Sequence, residues 1–421
     1  MTAPTEAVRE RVLDLSADGL PAYLYDLDAL RAHASAVRAA LPERVELYYA
    51  AKANPEPAVL GALAPLVDGF EVASGGELAH VAAAVPDRPL AFGGPGKTPA
   101  EVTAALAGAA AGGPVPRFHV ESAHELRMLA ALAARTAPGV RVPVLTRFNL
   151  AVAEDALTGG SLTMGGGPSP FGIDPAEADA VLGLLTGGAF PQLEWWGTHA
   201  HLVSGLDAGA LASVAREVVR WSTALADGHR VRLREVNVGG GMAVDYARPE
   251  VRFDWTAYGA ALAALLAEHP GLTLRVEPGR ALTAYCGWYA TEVLDVKHSH
   301  GEDFAVVRGG THHLRTPATK GHDQPCTVLP VGPWPHPWPR PAAGRGPVTL
   351  VGQLCTPKDV LARRVPAAGL RAGDRVVFQM AGAYAWNISH HEFLMHPRPD
   401  FHFLGAPRCP VAAAPRAAGT G

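Results

Sequence analysis

A single lysine ends an apolar run in the stretch "YYAAKANPEP", residues 48–57. An ammonium group in such a place costs free energy unless it is paired, neutral or used covalently. Lys52 is therefore a candidate for covalent chemistry, since a lysine amine forms Schiff bases with carbonyl compounds. The alternative is a surface lysine whose stem covers apolar neighbours while its charge stays in water.

Two further segments carry groups that would complement such a lysine. Gly239, Gly240 and Gly241 follow the apolar stretch "VNV", and their backbone N–H groups can approach an anion closely. Glu277 opens the segment "EPGR" after another apolar run. The glycines are equally typical of a tight turn that binds nothing, and Glu277 of a salt bridge to Arg280.

A phosphate-binding loop, an isolated lysine and an acid together indicate pyridoxal phosphate. The lysine would form a Schiff base with this coenzyme, and the acid would face the pyridine nitrogen so that the ring accepts electrons. On this interpretation Lys52 binds the coenzyme and Glu277 is the pyridine partner.

The elements that must position these residues alternate between short apolar strands and Ala/Leu-rich helical stretches. Eight alternations in sequence indicate a TIM barrel of the α/β class. In this fold the functional residues follow the carboxyl ends of the strands, where the residues above stand. The strands are predicted at 45–51, 69–74, 89–94, 117–122, 142–149, 195–202, 235–241 and 273–279.

The pattern changes at about residue 285, where alternating segments are separated by turns instead of helices. This predicts a C-terminal all-β domain over 285–405, after a barrel over 45–284. Residues 1–44 include a strand and a helix that we expect to contribute to the β domain. The proline-rich stretch 332–347 is predicted as a surface loop, and 406–421 as a disordered tail.

Composition limits the classes of partner. The net charge of −4 gives no electrostatic reason to bind nucleic acid or an anionic membrane. The N-terminus lacks an apolar signal segment, no apolar run is long enough to span a membrane, and the four cysteines are widely spaced. We therefore expect a reduced, cytoplasmic protein.

Taken together, the motifs resemble those of the fold-type III pyridoxal-phosphate decarboxylases, the group of diaminopimelate, ornithine and arginine decarboxylases. The resemblance runs from Leu20 to Phe403 and implies an alanine-racemase-like barrel with a β domain. Ten stretches follow the order of that family. They are "PAYLYDLDAL", "YYAAKANPEPAVL", "GFEVASGGEL", "HVESAHEL", "FGI", "GTHAHLVSG", "VNVGGGMAVDY", "VEPGRAL", "GQLCTPKDVL" and "GDRVVFQMAGAY".

Several roles follow from the resemblance. It implies that His201 stacks on the coenzyme ring and that Glu71 lies near the Schiff base, where the family usually has Asp. It implies that Cys355 enters from a partner subunit and protonates the product, so that a homodimer shares its active sites. The implied phosphate contacts are Ser204, Gly239, Gly240, Gly241, Gly279, Arg280 and Tyr384.

Departures from the family pattern concern the substrate. Thr356 stands where the family usually has an acid that binds a distal ammonium group, whereas Arg315 matches an arginine that binds a far carboxylate. With Arg147 as a further substrate contact, we expect an amino acid or amino-acid conjugate, free or carrier-bound, whose far end is anionic or neutral. Such substrates occur in siderophore and natural-product assembly. His390 and His391 either face this substrate or only pack the loop.

Other functions remain open on the sequence. A diaminopimelate decarboxylase of primary metabolism and a racemase would share the barrel and coenzyme, although alanine-racemase-type enzymes usually pair the pyridine nitrogen with arginine. A coenzyme carrier without activity would not need Cys355 or the second domain. A zinc hydrolase could use His199 and His201 with His312, His313 or His390, but it would leave the glycine loop unexplained.

Overall fold

The computed structural model describes residues 4–151, 162–163 and 165–405. These residues form a closed parallel barrel and a second, mixed sheet of eight strands. The segment 406–421, for which the sequence predicts disorder, lies outside the described residues.

The first strand belongs to the second sheet, the barrel strands follow with a separate two-stranded sheet among them (Leu162–Thr163 with Val203–Ser204), and all later strands belong to the second sheet. In chain order the first eleven are β1 (Ala22–Asp26), β2 (Val45–Ala50), β3 (Gly69–Val72), β4 (Leu90–Phe92), β5 (Arg117–Val120), β6 (Val142–Arg147), β7 (Leu162–Thr163), β8 (Leu193–His199), β9 (Val203–Ser204), β10 (Glu235–Asn237) and β11 (Thr273–Val276). They are followed by β12 (Gly287–Ser299), β13 (Glu302–Val307), β14 (Cys326–Leu329), β15 (Val348–Val351), β16 (Val360–Val365), β17 (Arg375–Phe378) and β18 (Asp400–Leu404).

The barrel closes in the order β10-β11-β2-β3-β4-β5-β6-β8, and all neighbouring strands are parallel. Each of the eight predicted barrel strands is present, so the sequence prediction of a TIM barrel is confirmed. The register pairs Ala50 with Glu71, which brings the end of β2 beside the end of β3. Lys52 and Glu71 are thereby placed at the same mouth of the barrel.

Most of the helices return the chain between the barrel strands, whereas the first one packs against β1 and the last one lies between β13 and β14. In chain order they are α1 (Glu6–Asp14), α2 (Leu27–Ala40), α3 (Pro57–Leu63), α4 (Gly75–Ala84), α5 (Pro99–Ala110), α6 (Ala123–Thr136), α7 (Ala178–Thr186), α8 (Ala208–Gly228), α9 (Trp255–Glu268), α10 (Arg280–Thr283) and α11 (Thr316–Lys320). Capping side chains fix several starting points: Ser74 accepts from Glu77 N at 3.1 Å, and Ser122 from Glu125 N at 3.0 Å. None of the described helices is long and apolar enough to cross a membrane.

The second sheet has the order β14-β17-β12-β13-β15-β16, and β1 joins it between β12 and β18. The domain is thus mostly β, with α11 as a helix between β13 and β14. The proline-rich stretch 332–347 forms no strand, as expected for a segment poor in N–H donors. The division of the chain at residues 44, 284 and 405 stays a prediction.

Candidate active site

A cavity of about 390 Å³ opens at the carboxyl ends of the barrel strands. Most of the predicted site residues line it, although they come from points spread over more than 300 residues of sequence. The predicted residues that line the cavity are Lys52, Glu71, Arg147, His201, Ser204, Gly240, Gly241, Glu277, Gly279, Arg280 and Tyr384. Gly239 lies directly behind His201, because a Cβ at this glycine would be 2.5 Å from His201 Nδ1.

Lys52 projects into the cavity from a single turn of 3-10 helix, Ala51–Ala53, that ends β2. Its Nζ donates to Glu71 Oε2 at 2.8 Å, and Asn387 Nδ2 donates to the Lys52 carbonyl at 2.7 Å. Its side chain is 45 % exposed and that of Glu71 only 6 %. Burial lowers the pKa of Lys52, but the Glu71 carboxylate outweighs it, so the pKa lies above its ordinary value. The free amine is therefore held as an ammonium ion.

Glu277 is buried at the floor of the cavity. Asn237 Nδ2 donates to its Oε1 at 2.6 Å, while His119 Nε2 and His199 Nε2 lie 3.9 and 3.8 Å from its two carboxylate oxygens. Burial, with the nearby negative charge of Glu71, raises the pKa of Glu277 to about 7. This carboxyl group is placed to share a proton with a basic nitrogen above it.

The alternative salt bridge between Glu277 and Arg280 is not formed. Arg280 instead places its guanidinium 4.7 Å from the centroid of the Tyr384 ring. Tyr384 has φ +49°, a conformation that is rare for a bulky residue, and it is held by Tyr384 N donating to Ala53 O at 2.8 Å. Arg280 and Tyr384 thus form one wall of the cavity.

His201 lies over the glycine loop as a neutral ring. Its Nδ1 accepts a hydrogen bond from Gly240 N at 3.1 Å, which assigns the ring proton to Nε2. Burial, together with the nearby cations Lys52 and Arg147, lowers the pKa of His201 to about 3. A neutral flat imidazole is suited to stack on an aromatic coenzyme.

The glycine loop approaches its neighbours more closely than any side chain would allow. Gly241 has φ +96°, and a Cβ there would lie 2.3 Å from the carbonyl oxygen of Val203. At Gly240 a Cβ would lie 2.5 Å from the Glu277 carbonyl oxygen. The loop after β10 therefore requires glycine for packing as well as for any anion that it binds.

Arg147 is fixed in the cavity wall by an acid on the neighbouring strand. Its Nη1 donates to Glu121 Oε1 at 2.8 Å, and Glu121 Oε2 also accepts from Gly172 N at 2.9 Å. The guanidinium carbon lies 5.0 Å from the centroid of the Phe171 ring. Glu121 thereby joins Arg147 to the "FGI" segment at the cavity edge.

Besides Gly239, three of the predicted residues do not line the cavity of their own chain: Cys355, Thr356 and Arg315. Cys355 is exposed in the second domain. Asp359, four residues further on, accepts from Thr311 N at 2.6 Å and from Leu354 N at 2.8 Å, which shapes the loop that carries Cys355. Arg315 is exposed, and its backbone N–H donates to Ser389 Oγ at 3.2 Å.

The His-rich loop after Tyr384 has a packing role that the structure shows directly. The His391 ring stacks on Trp386 at 3.6 Å between centroids, and the His390 ring lies 5.7 Å from Phe393. The rings of His312 and His313 lie 4.0 Å apart between centroids, tilted by 46°, in the second domain. The zinc ligand set considered from the sequence is therefore not assembled around His199 and His201.

Three polar residues of the site were missed by the sequence analysis: His119, Asn237 and Arg275. Arg275 lies two residues before Glu277 and His119 two residues before Glu121, on the strand face that points into the barrel, and Asn237 is the last residue of β10. That spacing was the available signal. Among the described residues, His119, His199 and Glu277 are the one group whose donor atoms lie close enough, within 4.8 Å, to hold a metal ion.

The residues present fit pyridoxal phosphate. A carboxyl group, a neutral imidazole and an amine face one cavity, and both ring nitrogens of the buried His199 have no hydrogen-bond partner there. Gly239–Gly241 offer a backbone cradle in which a Cβ would collide with neighbouring atoms. Lys52 would hold the coenzyme covalently, and Glu277 would face its ring nitrogen.

Comparison with known proteins decides the family. Residues 27–284 match the model described as pyridoxal-dependent decarboxylase, pyridoxal binding domain. The chain belongs to this family. It is a pyridoxal-phosphate-dependent amino acid decarboxylase, a carboxy-lyase, as the motifs predicted.

Relatives of this decarboxylase extend the match to nearly the whole chain. The chain is 39 % identical over 385 residues to 2-((L-alanin-3-ylcarbamoyl)methyl)-2-hydroxybutanedioate decarboxylase of Staphylococcus aureus, covering 91 % of this chain and 93 % of that protein. It is 30 % identical to L-glutamyl-(BtrI acyl-carrier protein) decarboxylase of Niallia circulans, over 90 % and 87 % of the two chains.

A solved structure confirms the architecture of the decarboxylase. A point mutant of the diaminopimelate decarboxylase of Helicobacter pylori, complexed with L-lysine, matches with a TM-score of 0.79 at 25 % identity, covering 94 % of both chains. The predicted fold and coenzyme are confirmed by these comparisons. The alternatives of a zinc hydrolase, a racemase and an inactive coenzyme carrier are set aside.

Proposed function

We propose that this decarboxylase removes the α-carboxylate of an amino-acid conjugate whose far end is anionic or neutral, as in siderophore or natural-product assembly. The convergence of Lys52, His201 and Glu277 on one cavity carries the decarboxylation itself. The far-end specificity is supported by Arg315 and Thr356, and by the two relatives whose names describe conjugated or carrier-bound substrates.

The coenzyme, when bound, would accept the electrons that the departing carboxylate leaves on Cα. Around it, Lys52 supplies the amine that binds the coenzyme. The Glu71 carboxylate stabilises the positive charge of that amine, and Glu277 keeps the proton at the ring nitrogen. His201 covers one face of the ring and so fixes which substrate bond stands perpendicular to it. Phosphate contacts are assigned to Ser204, Gly239, Gly240, Gly241, Gly279, Arg280 and Tyr384.

Arg147 is positioned to bind a carboxylate inside the cavity. Glu121 pairs with one edge of its guanidinium, which fixes the orientation of the remaining N–H groups. The Glu121 carboxylate also balances the positive charge of Arg147. We assign to Arg147 a contact with the substrate, as expected from the sequence.

Arg315 is assigned to the far end of the substrate. It stands next to the loop that begins at Tyr384 in the cavity wall, because Ser389 Oγ accepts from its backbone and also donates to Ala385 O at 2.7 Å. A carboxylate here would gain a charge-assisted hydrogen bond. Thr356, in contrast, offers no charge for a distal ammonium group.

Cys355 and Thr356 are assigned to the active site of a partner subunit in a homodimer. Cys355 is exposed and lies outside the cavity of its own chain, which is the arrangement that a shared site requires. Its thiol would protonate the product carbon after loss of carbon dioxide.

Carbon dioxide release under identical conditions tests the proposed substrate class. We expect 2-((L-alanin-3-ylcarbamoyl)methyl)-2-hydroxybutanedioate or a glutamyl carrier protein to be turned over with a higher kcat/KM than free lysine, ornithine or diaminopimelate. Fast turnover of free lysine or ornithine would contradict the assignment of Thr356. Lack of turnover with every substrate by coenzyme-loaded protein would contradict the function.

Matched variants test the far-end contacts. Arg315→Met should raise KM for an anionic conjugate by roughly ten- to a hundredfold while kcat changes little, since a charge-assisted hydrogen bond is lost. Arg363 pairs with Asp323 on the surface of the second domain, so Arg363→Met is the control and should leave KM unchanged. Thr356→Glu should lower kcat/KM for the anionic conjugate by at least about tenfold through like-charge repulsion.

A further inference from the structure

Four charged side chains fill the barrel interior on the side of Glu277 away from the cavity. They come from four strands and carry two positive and two negative charges: Glu46, Arg117, Glu235 and Arg275. Arg117 Nη1 lies 3.1 Å from Glu235 Oε2, and Arg117 Nη2 donates to Glu46 Oε1 at 3.2 Å. Arg275 pairs with Glu235 most closely and lies 3.4 Å from Glu46 Oε2. This interior quartet is neutral as a whole.

Arg275 is the member of the quartet that reaches Glu277. Both residues are on β11 or directly after it, two positions apart, so their side chains point to the same side of the strand. Arg275 Nη1 lies 3.9 Å from Glu277 Oε1, and the Arg275 side chain is fully buried. At this distance and burial, screening by water is small and the Coulomb interaction is strong.

A histidine connects the same two residues. Arg275 Nη1 lies 3.4 Å and Asn237 Nδ2 lies 3.5 Å from His119 Nε2. Both partners are donors, so His119 Nε2 accepts and the ring is neutral, with its proton on Nδ1. His119 therefore cannot donate to Glu277 through Nε2, which leaves Arg275 as the cation on this side.

The charged and titratable groups around Glu277 come from every neighbouring element. On the cavity side Glu71 opposes its ionisation and Lys52 favours it, and beside it stand the neutral rings of His119 and His199. Lys52 would no longer be a free ammonium ion when it binds a coenzyme covalently. Arg275 keeps its charge in all states, because a guanidinium does not deprotonate in proteins.

We propose that Arg275 is a positioning residue whose positive charge beneath Glu277 keeps the shared proton on the ring nitrogen of the coenzyme instead of on Glu277. This inference rests on the proposed role of Glu277. It gives the interior quartet a function in the reaction, since a protonated ring withdraws electrons more strongly.

The test follows the ¹⁵N chemical shift of the ring nitrogen in holoenzyme loaded with ¹⁵N-labelled pyridoxal phosphate. Arg275→Met leaves the quartet with a net negative charge, so the ratio of protonated to unprotonated ring nitrogen should fall by at least about tenfold. Adding Glu235→Gln restores neutrality and should return the ratio toward that of the parent. A purely structural role would make the double variant at least as perturbed as Arg275→Met alone, and that result would overturn the proposal.

Two comparisons keep the test decisive. If Arg275→Met does not fold, as judged by circular dichroism and coenzyme content, the double variant is compared with Glu235→Gln alone, which differs from it only at Arg275. Equal ¹⁵N shifts in these two proteins would overturn the proposal. Glu277→Gln tests the assignment on which this inference rests. If this variant leaves the ¹⁵N shift of the ring nitrogen unchanged, Glu277 is not the pyridine partner, and the role that the proposed function gives to Glu277 is wrong.

Discussion

Lys52 Nζ and Glu71 Oε2 are joined by a hydrogen bond of 2.8 Å at the mouth of the barrel. The lysine is the residue to which we assign the coenzyme, and the glutamate is the group that holds it as an ammonium ion. An amine must lose its proton before it attacks an aldehyde, so this pair controls how fast the coenzyme is captured.

We expect Glu71→Gln to move the capture of pyridoxal phosphate by the coenzyme-free protein to lower pH. Removing the carboxylate lowers the pKa of Lys52, and a pKa that is lower by about one raises the unprotonated fraction of the amine about tenfold. The measurement is the rate of covalent capture against pH, trapped with borohydride. Lys52→Ala is the control and should trap none, and an unchanged pH profile in Glu71→Gln would contradict the assigned pairing.

Glu277 gives the coenzyme-free protein a defined dependence of stability on pH. Burial raises its pKa from 4.5 to about 7, so the folded state binds the proton more tightly than the unfolded state. Below about pH 4.5 Glu277 is protonated in both states and does not affect the free energy of unfolding. As pH rises from there to about 7, the unfolded state loses the proton first, so the folded state is increasingly destabilised. Glu277→Gln should therefore gain stability relative to the parent over this window, by on the order of 1–3 kcal/mol.

Urea unfolding of both proteins at several pH values measures this difference. Other titrating groups contribute equally to both proteins and cancel. A difference in unfolding free energy that is independent of pH would contradict the raised pKa of Glu277.

The glycine loop can be tested with a pair of matched glycines. Gly241 and Gly112 have similar φ angles, +96° and +93°, but a Cβ meets Val203 O at 2.3 Å in the first and nothing within 4 Å in the second. Gly241→Ala should weaken coenzyme binding by at least about tenfold, because the loop would have to move away from Val203 O in addition to holding an alanine at a strained φ angle. Gly112→Ala carries only the conformational strain and should bind coenzyme normally. Equal affinities in the two variants, measured by coenzyme titration, would contradict the proposal that the glycine loop forms a binding cradle for the coenzyme.

Shared active sites predict complementation between two impaired variants. Cys355→Ala should keep its coenzyme but form product slowly or incorrectly, and Lys52→Ala should lack activity. When the two are mixed and exchange subunits, mixed dimers contain one intact site, so about one quarter of the parental activity should return. Exchange is verified by mass spectrometry of labelled and unlabelled chains. No recovery after verified exchange would contradict the contribution of Cys355 across a dimer.

The sequence was sufficient for the barrel and for the residues at its strand ends. Apolar runs of the correct length located all eight strands, and Lys52 and Glu277 follow from where two of those runs end, whereas Glu71 and His201 came from the family resemblance. These are local signals, because each depends on residues that are close in the chain.

The missed residues depend on relations between distant strands. Arg275 stands inside "TLRV" and His119 inside "RFHV", and in strands this short either side chain could face the barrel or the helices. Only the register between β5, β10 and β11 shows that they meet beneath Glu277. The contact of Asn387 with the Lys52 carbonyl likewise joins residues 335 positions apart, and no local sequence pattern predicts it.

That last contact has a consequence for how this enzyme could acquire new substrates. The loop that carries Asn387 continues to Ser389, which contacts Arg315, so the part of the chain that we propose to contact the substrate also holds the backbone of Lys52. Exchanging this loop with that of a relative would disturb the reactive amine along with the specificity. Engineered loop transplants should therefore keep the asparagine in place.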